Sequence, residues 1–391
     1  MSSIDQIIHE YQKDTPFFLI RTEQLEENIS SFRSALDELW PNSIIAYSVK
    51  TNSLPWLLNW MNEHGVYAEC VSDEEYELAE LSGYSGNNIV FNGPIKTKEK
   101  VLKAFEGNSF INIDSEREVA LFSSIECSDR VGIRVNVDTQ IFDQVDVGYI
   151  DDGFRFGFSD LNGDLKRVID LFGSNHIGLH LHVNSITRSV NVYKAIAAYA
   201  ARIIQKYNLT PSFVDIGGGF FGGVPGKTTP MEYIAAIKAE LDSAVNPNET
   251  KLIIEPGSAA VGSVFELYTK VIDVKDTGHA RIVTTDGSRV YIDPLWQKKS
   301  YMHTCVTKGE VIPRQVICGY TCMDHDRLMV LENERELSEG DYIVYHRVGN
   351  YTTTFGGPFI RPFPDVYALV GDELVHARHK MSMQDYYRIE T

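Results

Sequence analysis

Short apolar runs alternate with stretches of helical periodicity through the first two thirds of the chain. The apolar runs predict buried strands, and they cover 44–50, 66–70, 89–92, 110–114, 130–137, 176–183, 213–217 and 251–256. The segments between them place apolar residues at helical spacing, and the clearest are 73–81, 98–105, 115–122, 190–207 and 230–244. Strands that alternate with helices form right-handed parallel units, and eight such units in about 220 residues predict a closed (β/α)8 barrel. A doubly wound open sheet is the alternative.

The pattern changes near residue 262, where short apolar runs are punctuated by Gly and Asp and no long helical pattern remains. This texture is typical of an all-β domain. We therefore predict an N-terminal segment at 1–24 that joins the β domain, a barrel at 25–261 and a β domain at 262–391. The strand candidate at 17–21 can pair with either domain.

Composition restricts the functional classes. The chain has 391 residues, of which 43% are hydrophobic and 23% charged, as in ordinary globular proteins. A formal charge of −18 without a basic cluster opposes binding to nucleic acid. The sequence begins without a signal-peptide pattern and contains no run of membrane-spanning length, so we expect a cytoplasmic protein that binds no membrane.

Cysteine and histidine positions do not predict a disulfide framework or a metal site. The five cysteines lack disulfide-framework spacing. The spacings match no standard zinc pattern among Cys305, Cys318, Cys322, His303 and His325. We expect no bound metal.

Unusual polar residues occur where predicted barrel strands end. Lys50 closes the first strand, His182 lies near the end of the sixth, Gly217-Gly218-Gly219 follows the seventh and Glu255 ends the eighth. Any one of them alone is explained as the start of a solvated loop. Barrel active sites lie at the C-terminal ends of the strands, so their convergence there predicts an active site.

The glycine-rich stretch from Gly217 to Gly223 matches the literal dinucleotide-binding pattern, but a Pro/Gly loop follows where that motif requires a helix. Its backbone N–H groups can still approach a phosphate. A lysine for an imine, an imidazole, a carboxylate and a phosphate turn are the groups that pyridoxal phosphate requires. A barrel enzyme that binds a sugar phosphate would account for the phosphate turn, but it would give no role to Glu255.

Ordered motifs resemble those of the fold-type III pyridoxal-phosphate decarboxylases, the group that includes diaminopimelate and ornithine decarboxylases and has a barrel of the alanine-racemase type. The resemblance covers nearly the whole chain. Its barrel motifs are Ala46-Tyr47-Ser48-Val49-Lys50, Glu69-Cys70-Val71-Ser72 with Glu75, Arg155-Phe156-Gly157, His182-Val183-Asn184-Ser185, Asp215-Ile216-Gly217-Gly218-Gly219-Phe220 and Glu255-Pro256-Gly257.

The resemblance implies roles for several of the matched residues. Lys50 would form the Schiff base with pyridoxal phosphate, His182 would stack on its ring, and Glu255 would pair with the pyridine nitrogen. The phosphate would be held by Ser185, Gly217, Gly218, Gly219 and Tyr351. Cys322 would act as general acid and, in the family, comes from the other subunit, which implies a homodimer with shared active sites.

Three positions depart from the family pattern. Ser258 stands where the family has an arginine, Asn184 replaces a glycine, and Met323 replaces an acidic residue that holds the distal ammonium of the substrate. An apolar side chain cannot pair with that charge. The residues predicted to contact the substrate are Met323, Asp324, Asp326 and Arg361.

We therefore expect a pyridoxal-phosphate-dependent decarboxylase that removes the α-carboxylate of an amino acid, with specificity shifted from the usual diamino acids, such as towards a specialised-pathway intermediate. Three alternatives stay open. One is meso-diaminopimelate decarboxylase of lysine biosynthesis. The others are an amino-acid racemase, which needs a second base on the β domain, and a catalytically inactive regulatory homologue.

Overall fold

The computed structural model describes residues 4–122, 129–148, 153–183 and 185–390. Within these ranges the chain forms strands β1 (Phe17–Arg21), β2 (Ser43–Ser48), β3 (Tyr67–Cys70), β4 (Ile89–Phe91), β5 (Phe110–Ile113), β6 (Val131–Asn136), β7 (Phe158–Ser159), β8 (Gly178–His180), β9 (Phe213–Asp215), β10 (Lys251–Ile254), β11 (Phe265–Asp276), β12 (Arg281–Thr285), β13 (His303–Val306), β14 (Val311–Cys318), β15 (Arg327–Arg335), β16 (Tyr342–His346), β17 (Asp365–Val370) and β18 (Glu373–Arg378).

The helices in the same ranges are α1 (Ile4–Tyr11), α2 (Thr22–Leu39), α3 (Pro55–Glu63), α4 (Asp73–Leu81), α5 (Lys98–Glu106), α6 (Glu116–Phe122), α7 (Asp164–Phe172), α8 (Val190–Lys206), α9 (Pro230–Leu241), α10 (Ser258–Val261), α11 (Arg289–Ile292) and α12 (Met383–Glu390). The chain divides into two compact units, one of residues 27–260 and one of residues 1–26 with 261–391.

The first unit is a closed parallel barrel. Its strands pair in the order β5, β4, β3, β2, β10, β9, β8, β6, and a further pairing of β5 with β6 closes the circle. All of these pairs are parallel. The predicted barrel is confirmed, and the doubly wound alternative is wrong because the β5–β6 ladder leaves no open edge.

In the barrel interior, the large side chain of Phe213 packs opposite two glycines. Phe213 on β9 is fully buried, and its ring meets that of Phe110 edge to face with 5.2 Å between centroids. A Cβ atom on Gly178 would lie 2.2 Å from the Phe213 ring, and one on Gly132 would lie 2.7 Å from it. Glycine at both positions therefore makes room for the phenyl ring within the closed sheet.

The second unit is built on a mostly antiparallel sheet. Its strands run in the order β15, β14, β12, β11, β1, β17, β18, and β16 joins β11 to β13. The N-terminal strand β1 lies between β11, to which it is antiparallel, and β17, to which it is parallel. Its apolar side chains pack into a core that includes Phe17, Leu19 and Tyr268. The terminal helix α12 is an element that the sequence pattern did not predict.

None of the described helices combines the length and the apolar character needed to cross a membrane.

We expect Gly178→Ala to destabilise the barrel by about 1–3 kcal/mol, because the added methyl group overlaps the Phe213 ring. Urea unfolding followed by fluorescence measures the free energy of unfolding. Adding Phe213→Leu should recover part of the loss, because the two positions share one space. Gly278→Ala is the control, since no heavy atom lies within 4 Å of its Cβ position. Equal unfolding midpoints for Gly178→Ala and Gly278→Ala would contradict the packing argument.

Candidate active site

The four groups singled out from the sequence lie just beyond the ends of adjacent barrel strands. Lys50 lies in a 3-10 turn, Val49–Thr51, that follows β2. Glu255 follows β10 directly, Gly217 comes shortly after β9, and His182 shortly after β8. The prediction that Lys50 and His182 lie within strands is wrong by two residues, because the ladders end at Ser48 and His180. Parallel strands end at the same face, so the structure brings these groups together.

Lys50 is held by a carboxylate and a hydroxyl. Its Nζ atom donates to Glu69 Oε2 at 2.6 Å and to Ser48 Oγ at 2.7 Å. Ser48 Oγ also donates to Glu69 Oε2 at 2.6 Å. Loss of water opposes the charge on the partly exposed lysine, but Glu69 and Glu255 offset this effect and raise the pKa of Lys50. The amine is therefore a fixed ammonium until another group replaces the ion pair.

Two buried asparagines connect the carboxylates beneath Lys50. Asn92 donates to Glu69 Oε1 at 3.1 Å and to Glu255 Oε1 at 2.5 Å. Asn112 donates to Asn92 Oδ1 at 2.8 Å and to Asp215 Oδ2 at 3.2 Å. The network spans the barrel from β3 to β10. Each asparagine can donate two hydrogen bonds, so one side chain can bridge two acceptors.

Three buried acids share this network with a single ammonium, and burial favours the protonated form of two of them. Burial and repulsion from Asp215 and Glu69 raise the pKa of Glu255 well above its ordinary value. Burial also raises the pKa of Asp215 to about 7, although hydrogen bonds from Glu255 and the Gly217 amide favour its charged form. Glu69 is different: burial would raise its pKa, but Lys50 lowers the value overall. Near neutral pH, Glu69 is the carboxylate and Glu255 is the acid.

His182 and the glycine turn fit against each other. The Gly218 amide donates to His182 Nδ1 at 3.1 Å. Gly217 has φ +70° and Gly219 has φ +90°, and a Cβ atom on Gly217 would lie 2.3 Å from His182 Nδ1. Burial, with Arg134 and Lys50 nearby, lowers the pKa of His182 to about 3, so the imidazole is neutral. The acceptor role of Nδ1 agrees with a neutral ring that carries its proton on Nε2.

One donor near this turn, the Gly219 amide, is available for an anion, whereas the nearby Ser185 hydroxyl already donates to the Val147 carbonyl oxygen at 3.4 Å. The Gly219 amide donates to no residue in the described ranges, and Tyr193 fixes the turn by donating to the Gly218 carbonyl at 3.0 Å. Ser185 is buried, lies 3.0 Å from Thr187 Oγ1 and accepts from the Arg188 amide at 3.2 Å. The neighbouring Asn184 lies outside the described residues. Backbone N–H groups of a glycine turn are suited to a phosphate.

The predicted residues of the second unit lie on two of its loops. Cys322 and Asp324 are exposed and Met323 is half-buried. Asp326 is buried and accepts hydrogen bonds from Ser288 Oγ and from Thr321 Oγ1. The sequence argument predicted that Asp326 contacts the substrate. It did not foresee that the Asp326 carboxylate holds the loop that carries Cys322.

Two further predicted residues lie in the connection between β16 and β17. Tyr351 is 39% exposed and has φ +55°. Arg361 places its guanidinium over the Tyr320 ring, 5.3 Å from the centroid. Their roles towards cofactor and substrate stay predictions.

A family model for the pyridoxal binding domain of pyridoxal-dependent decarboxylases matches residues 22–262. The chain belongs to this family. Among curated relatives, the diaminopimelate decarboxylase of Archaeoglobus fulgidus is 28% identical over 357 residues, which cover 86% of this chain and 83% of the relative.

Solved structures show how widely the fold of this decarboxylase is shared. Diaminopimelate decarboxylase of Methanocaldococcus jannaschii superposes with a TM-score of 0.83 at 21% identity, covering 98% of this chain and 94% of that one. The arginine decarboxylase of Paramecium bursaria Chlorella virus gives 0.78 at 20% identity, covering 93% of this chain and 99% of that one. Enzymes named for different amino acids thus have this fold, so the fold alone does not identify the substrate.

The residues of this decarboxylase fit pyridoxal phosphate, its cofactor. Lys50 offers a primary amine that a carboxylate and a hydroxyl hold in place. The glycine turn offers an unused amide, and Glu255 offers a buried carboxylic acid, a suitable partner for the basic nitrogen of a pyridine ring. The donor set therefore agrees with the chemistry of the cofactor's aldehyde, phosphate and ring nitrogen.

The sequence argument did not assign Asn92, Asn112 and Asp215 to the site. Each had a detectable signal, because a polar residue inside or directly after a short apolar strand of a barrel must face a polar partner. Asn112 interrupts Phe110-Ile111-Asn112-Ile113, and Asp215 ends the apolar strand β9. The bonding partners were not predictable, because they come from strands far away in sequence.

The buried acids predict a pH-dependent stability of the cofactor-free protein. Unfolded Asp and Glu titrate near pH 4, whereas the folded protein keeps protons on Asp215 up to about pH 7 and on Glu255 beyond its ordinary range. The folded state thus binds more protons than the unfolded state above about pH 4, so the free energy of unfolding falls as pH rises towards about 7.

Glu255→Gln should reduce this fall by on the order of 1–3 kcal/mol between about pH 5 and pH 7. Its amide oxygen can accept from Asn92 and its amide nitrogen can donate to Asp215, so the variant keeps the bonds and removes one acid. Urea unfolding of the cofactor-free protein at several pH values measures the effect. The exposed Glu249→Gln is the control. An unchanged slope in Glu255→Gln would show that Glu255 is ionised in the folded protein.

Proposed function

We propose that this decarboxylase removes the D-centre carboxylate of meso-diaminopimelate and produces L-lysine. The observation that carries the proposal is the match of a diaminopimelate decarboxylase along 86% of the chain, together with an active site whose acids and lysine are in place. The shifted specificity that we expected from Ser258 and Met323 gains no support from these comparisons, which favour the diaminopimelate alternative.

In the proposed reaction, the barrel residues bind the cofactor and fix its charge state. Lys50 would hold the cofactor through its primary amine, and Ser48 and Glu69, which accept hydrogen bonds from Nζ, would hold this amine whenever it is free. When bound, pyridoxal phosphate supplies an electron sink for the electron pair left by departing CO2. Glu255 would hold a proton at the ring nitrogen, because burial and repulsion from Asp215 keep its carboxyl group protonated and able to donate to that nitrogen.

The remaining barrel groups position the cofactor. His182 is a neutral ring and can pack against the aromatic face of the cofactor without adding charge. The Gly217 to Gly219 turn, with Ser185 and Tyr351, holds the phosphate. A side chain on Gly218 would meet the Glu255 carbonyl oxygen at 2.1 Å, so this turn also fixes the backbone next to the acid.

Cys322 is the proposed general acid that returns a proton to the α-carbon, and it acts from the partner subunit of a homodimer. Its thiol is exposed in the single chain, on a loop held by the buried Asp326. A thiol can donate a proton to a carbanion and be recharged from solvent. Cys318, which is half-buried on β14, is the natural control for this role.

The distal end of the substrate carries an ammonium and a carboxylate, which need partners of opposite charge. Met323 cannot supply the negative charge, so we assign that task to the exposed Asp324. Arg361 is the proposed partner of the distal carboxylate, in place of the arginine that Ser258 replaces. Its position over the Tyr320 ring restrains the guanidinium.

The decisive measurement is CO2 release with cofactor supplied, from a panel of L-, D- and meso-amino acids that includes diaminopimelate, ornithine, lysine, arginine and glutamate. We expect meso-diaminopimelate to be turned over best and to yield L-lysine. Lys50→Ala should release no CO2, because it lacks the amine that binds the cofactor.

Each of the other outcomes would support a different function. CO2 release from another panel member alone would restore the shifted specificity. Change of stereochemistry without CO2 would indicate a racemase. Formation of the lysine–cofactor absorbance band without turnover of any free amino acid would indicate a larger substrate, and absence of the band would indicate an inactive homologue.

The shared active site predicts complementation between two inactive variants. Lys50→Ala and Cys322→Ala place their defects on different subunits of a shared site, so a mixed dimer has one intact site. After mixing and subunit exchange, we expect activity to return to roughly a quarter of wild type, since about half of the dimers are mixed. Mixing Lys50→Ala with Cys318→Ser gives the reference for one fully competent partner. Activity no higher than that of either single variant would show that both residues act within one subunit.

A further inference from the structure

A histidine, a cysteine and a glutamate, none of them assigned to catalysis, converge on the β unit. The side chains of His303, Cys305 and Glu334 each offer one potential ligand atom, and these atoms all lie within 4.8 Å of one another. His303 and Cys305 are two residues apart on β13, so their side chains lie on the same face of the strand. Glu334 comes from β15.

This convergence is not a by-product of strand pairing. β13 pairs with β16, and β15 pairs with β14, so no ladder joins β13 to β15. The nearest hydrogen bond between the two segments runs from Thr307 Oγ1 to the Glu336 carbonyl, at 2.8 Å. The three side chains thus meet across a gap between two strands that the backbone leaves unconnected.

The tautomer of His303 is fixed by its neighbour. Its Nδ1 atom lies 2.9 Å from the Tyr301 carbonyl oxygen, which can only accept, so Nδ1 carries the proton. The lone pair of the neutral ring is therefore on Nε2, which faces Glu334. A backbone carbonyl that holds the second ring nitrogen is the usual support of a metal-binding histidine.

The distance between His303 and Glu334 leaves room for a metal ion. Nε2 and Oε1 are 3.7 Å apart, which is within the range of an ion pair but longer than an N–H···O hydrogen bond. Two ligands bound to one tetrahedral zinc ion at about 2.0–2.3 Å stand about 3.3–3.7 Å from each other. The observed distance therefore fits two ligands of one cation.

Cys305 completes the set as a thiol without a competing partner. It donates to no residue in the described part of the chain. Burial, with Glu334 and Asp341 nearby, raises the pKa of the Cys305 thiol to about 12. A divalent cation reverses that effect, because it binds the thiolate and compensates the charge of Glu334.

We propose that His303, Cys305 and Glu334 form a zinc-binding site that links β13 to β15, with water as the fourth ligand. On binding, Zn²⁺ accepts electron pairs from the imidazole, the thiolate and the carboxylate, and the thiol proton passes to solvent. One nitrogen, one sulfur and one oxygen ligand suit a borderline-soft ion such as Zn²⁺. The earlier expectation of no metal rested on Cys and His spacing along the chain, which does not include Glu334.

Two other clusters with metal-ligand side chains have different explanations. His376 Nε2 makes a direct hydrogen bond of 2.8 Å to Asp365 Oδ1, which also accepts from the Lys380 amide. His180 lies next to Asp215 and Glu255, so it belongs to the active site. His376 therefore serves as the matched control for His303, and Cys318 serves for Cys305.

The test uses the full-length enzyme with its cofactor, freed of metal by a chelator and titrated with Co²⁺ alone as the probe. Tetrahedral Co²⁺ gives visible d–d bands at longer wavelengths than the cofactor absorbs. We expect one equivalent to bind with such a spectrum and Zn²⁺ to displace it. Cys305→Ser and His303→Gln should each weaken binding at least about 100-fold, whereas Cys318→Ser and His376→Gln should leave it unchanged.

Thermal unfolding provides a second measurement that does not depend on the spectrum. Zn²⁺ should raise the Tm of the wild-type enzyme and not that of Cys305→Ser, because only a folded site binds the ion. Equal Tm values of the two proteins in chelator would show that the variant folds. Absence of a tetrahedral spectrum, or binding that survives both Cys305→Ser and His303→Gln, would overturn the proposal. No substrate is present in either measurement, so the result is independent of the proposed decarboxylase activity.

Discussion

The ion pair between Lys50 and Glu69 is the interaction on which the active site depends. A single ammonium faces three buried acids, and it can compensate the charge of only one of them. The protein responds by keeping protons on Glu255 and Asp215 and by joining all of the groups through Asn92 and Asn112. The negative charge of Glu69 is therefore next to the amine, and Asn92 joins it to the protonated Glu255. Both carboxyl groups are buried, so their different protonation follows from their charged neighbours.

The barrel provides the rigidity that this arrangement needs. The five strands that supply Ser48, Glu69, Asn92, Glu255 and Asp215 lie next to one another in the closed sheet. Small residues allow their backbones to come close, as where the Gly217 backbone fits beneath His182 and the Gly178 backbone beneath Phe213. A larger side chain at either glycine would overlap a neighbour before it could reach solvent. The glycines thus set the distances of the site as much as the charged residues do.

The β unit differs from the barrel because its proposed site residues lie on loops. Of these catalytic and substrate-binding residues, Cys322 and Asp324 are exposed and Met323 is half-buried. The loop that presents Cys322 is held by one buried carboxylate, Asp326. Loops of this kind can change a substrate contact without disturbing the barrel. That freedom explains how Met323 can depart from the pattern of the family while the charged network below Lys50 is complete. Ser258 lies in the barrel unit, at the start of α10, and the loops of the β unit do not account for it.

The sequence by itself determined the class of fold and the residues at the ends of the barrel strands. Apolar runs of strand length in alternation with helical periodicity have few packed solutions, and parallel strands must bring their ends to one face, so Lys50, His182, Gly217 and Glu255 could be assigned to one site. Asn112 interrupts an apolar strand, but the sequence argument did not use this signal. The sequence could not show that Asn112 reaches Asp215, because the partners are 103 residues apart and only closure of the barrel brings them into contact.

Tertiary structure alone decided which acids are protonated and which side chains meet on the β unit. The pKa of a carboxyl group depends on its burial and on charged side chains of other strands. Neither can be predicted from the residues next to it in the sequence. Rules based on the sequence spacing of metal ligands miss the cluster on the β unit for the same reason, because its members come from different strands. His303 and Cys305 share a strand face that the sequence predicts, but Glu334 joins them only because β15 folds back beside β13.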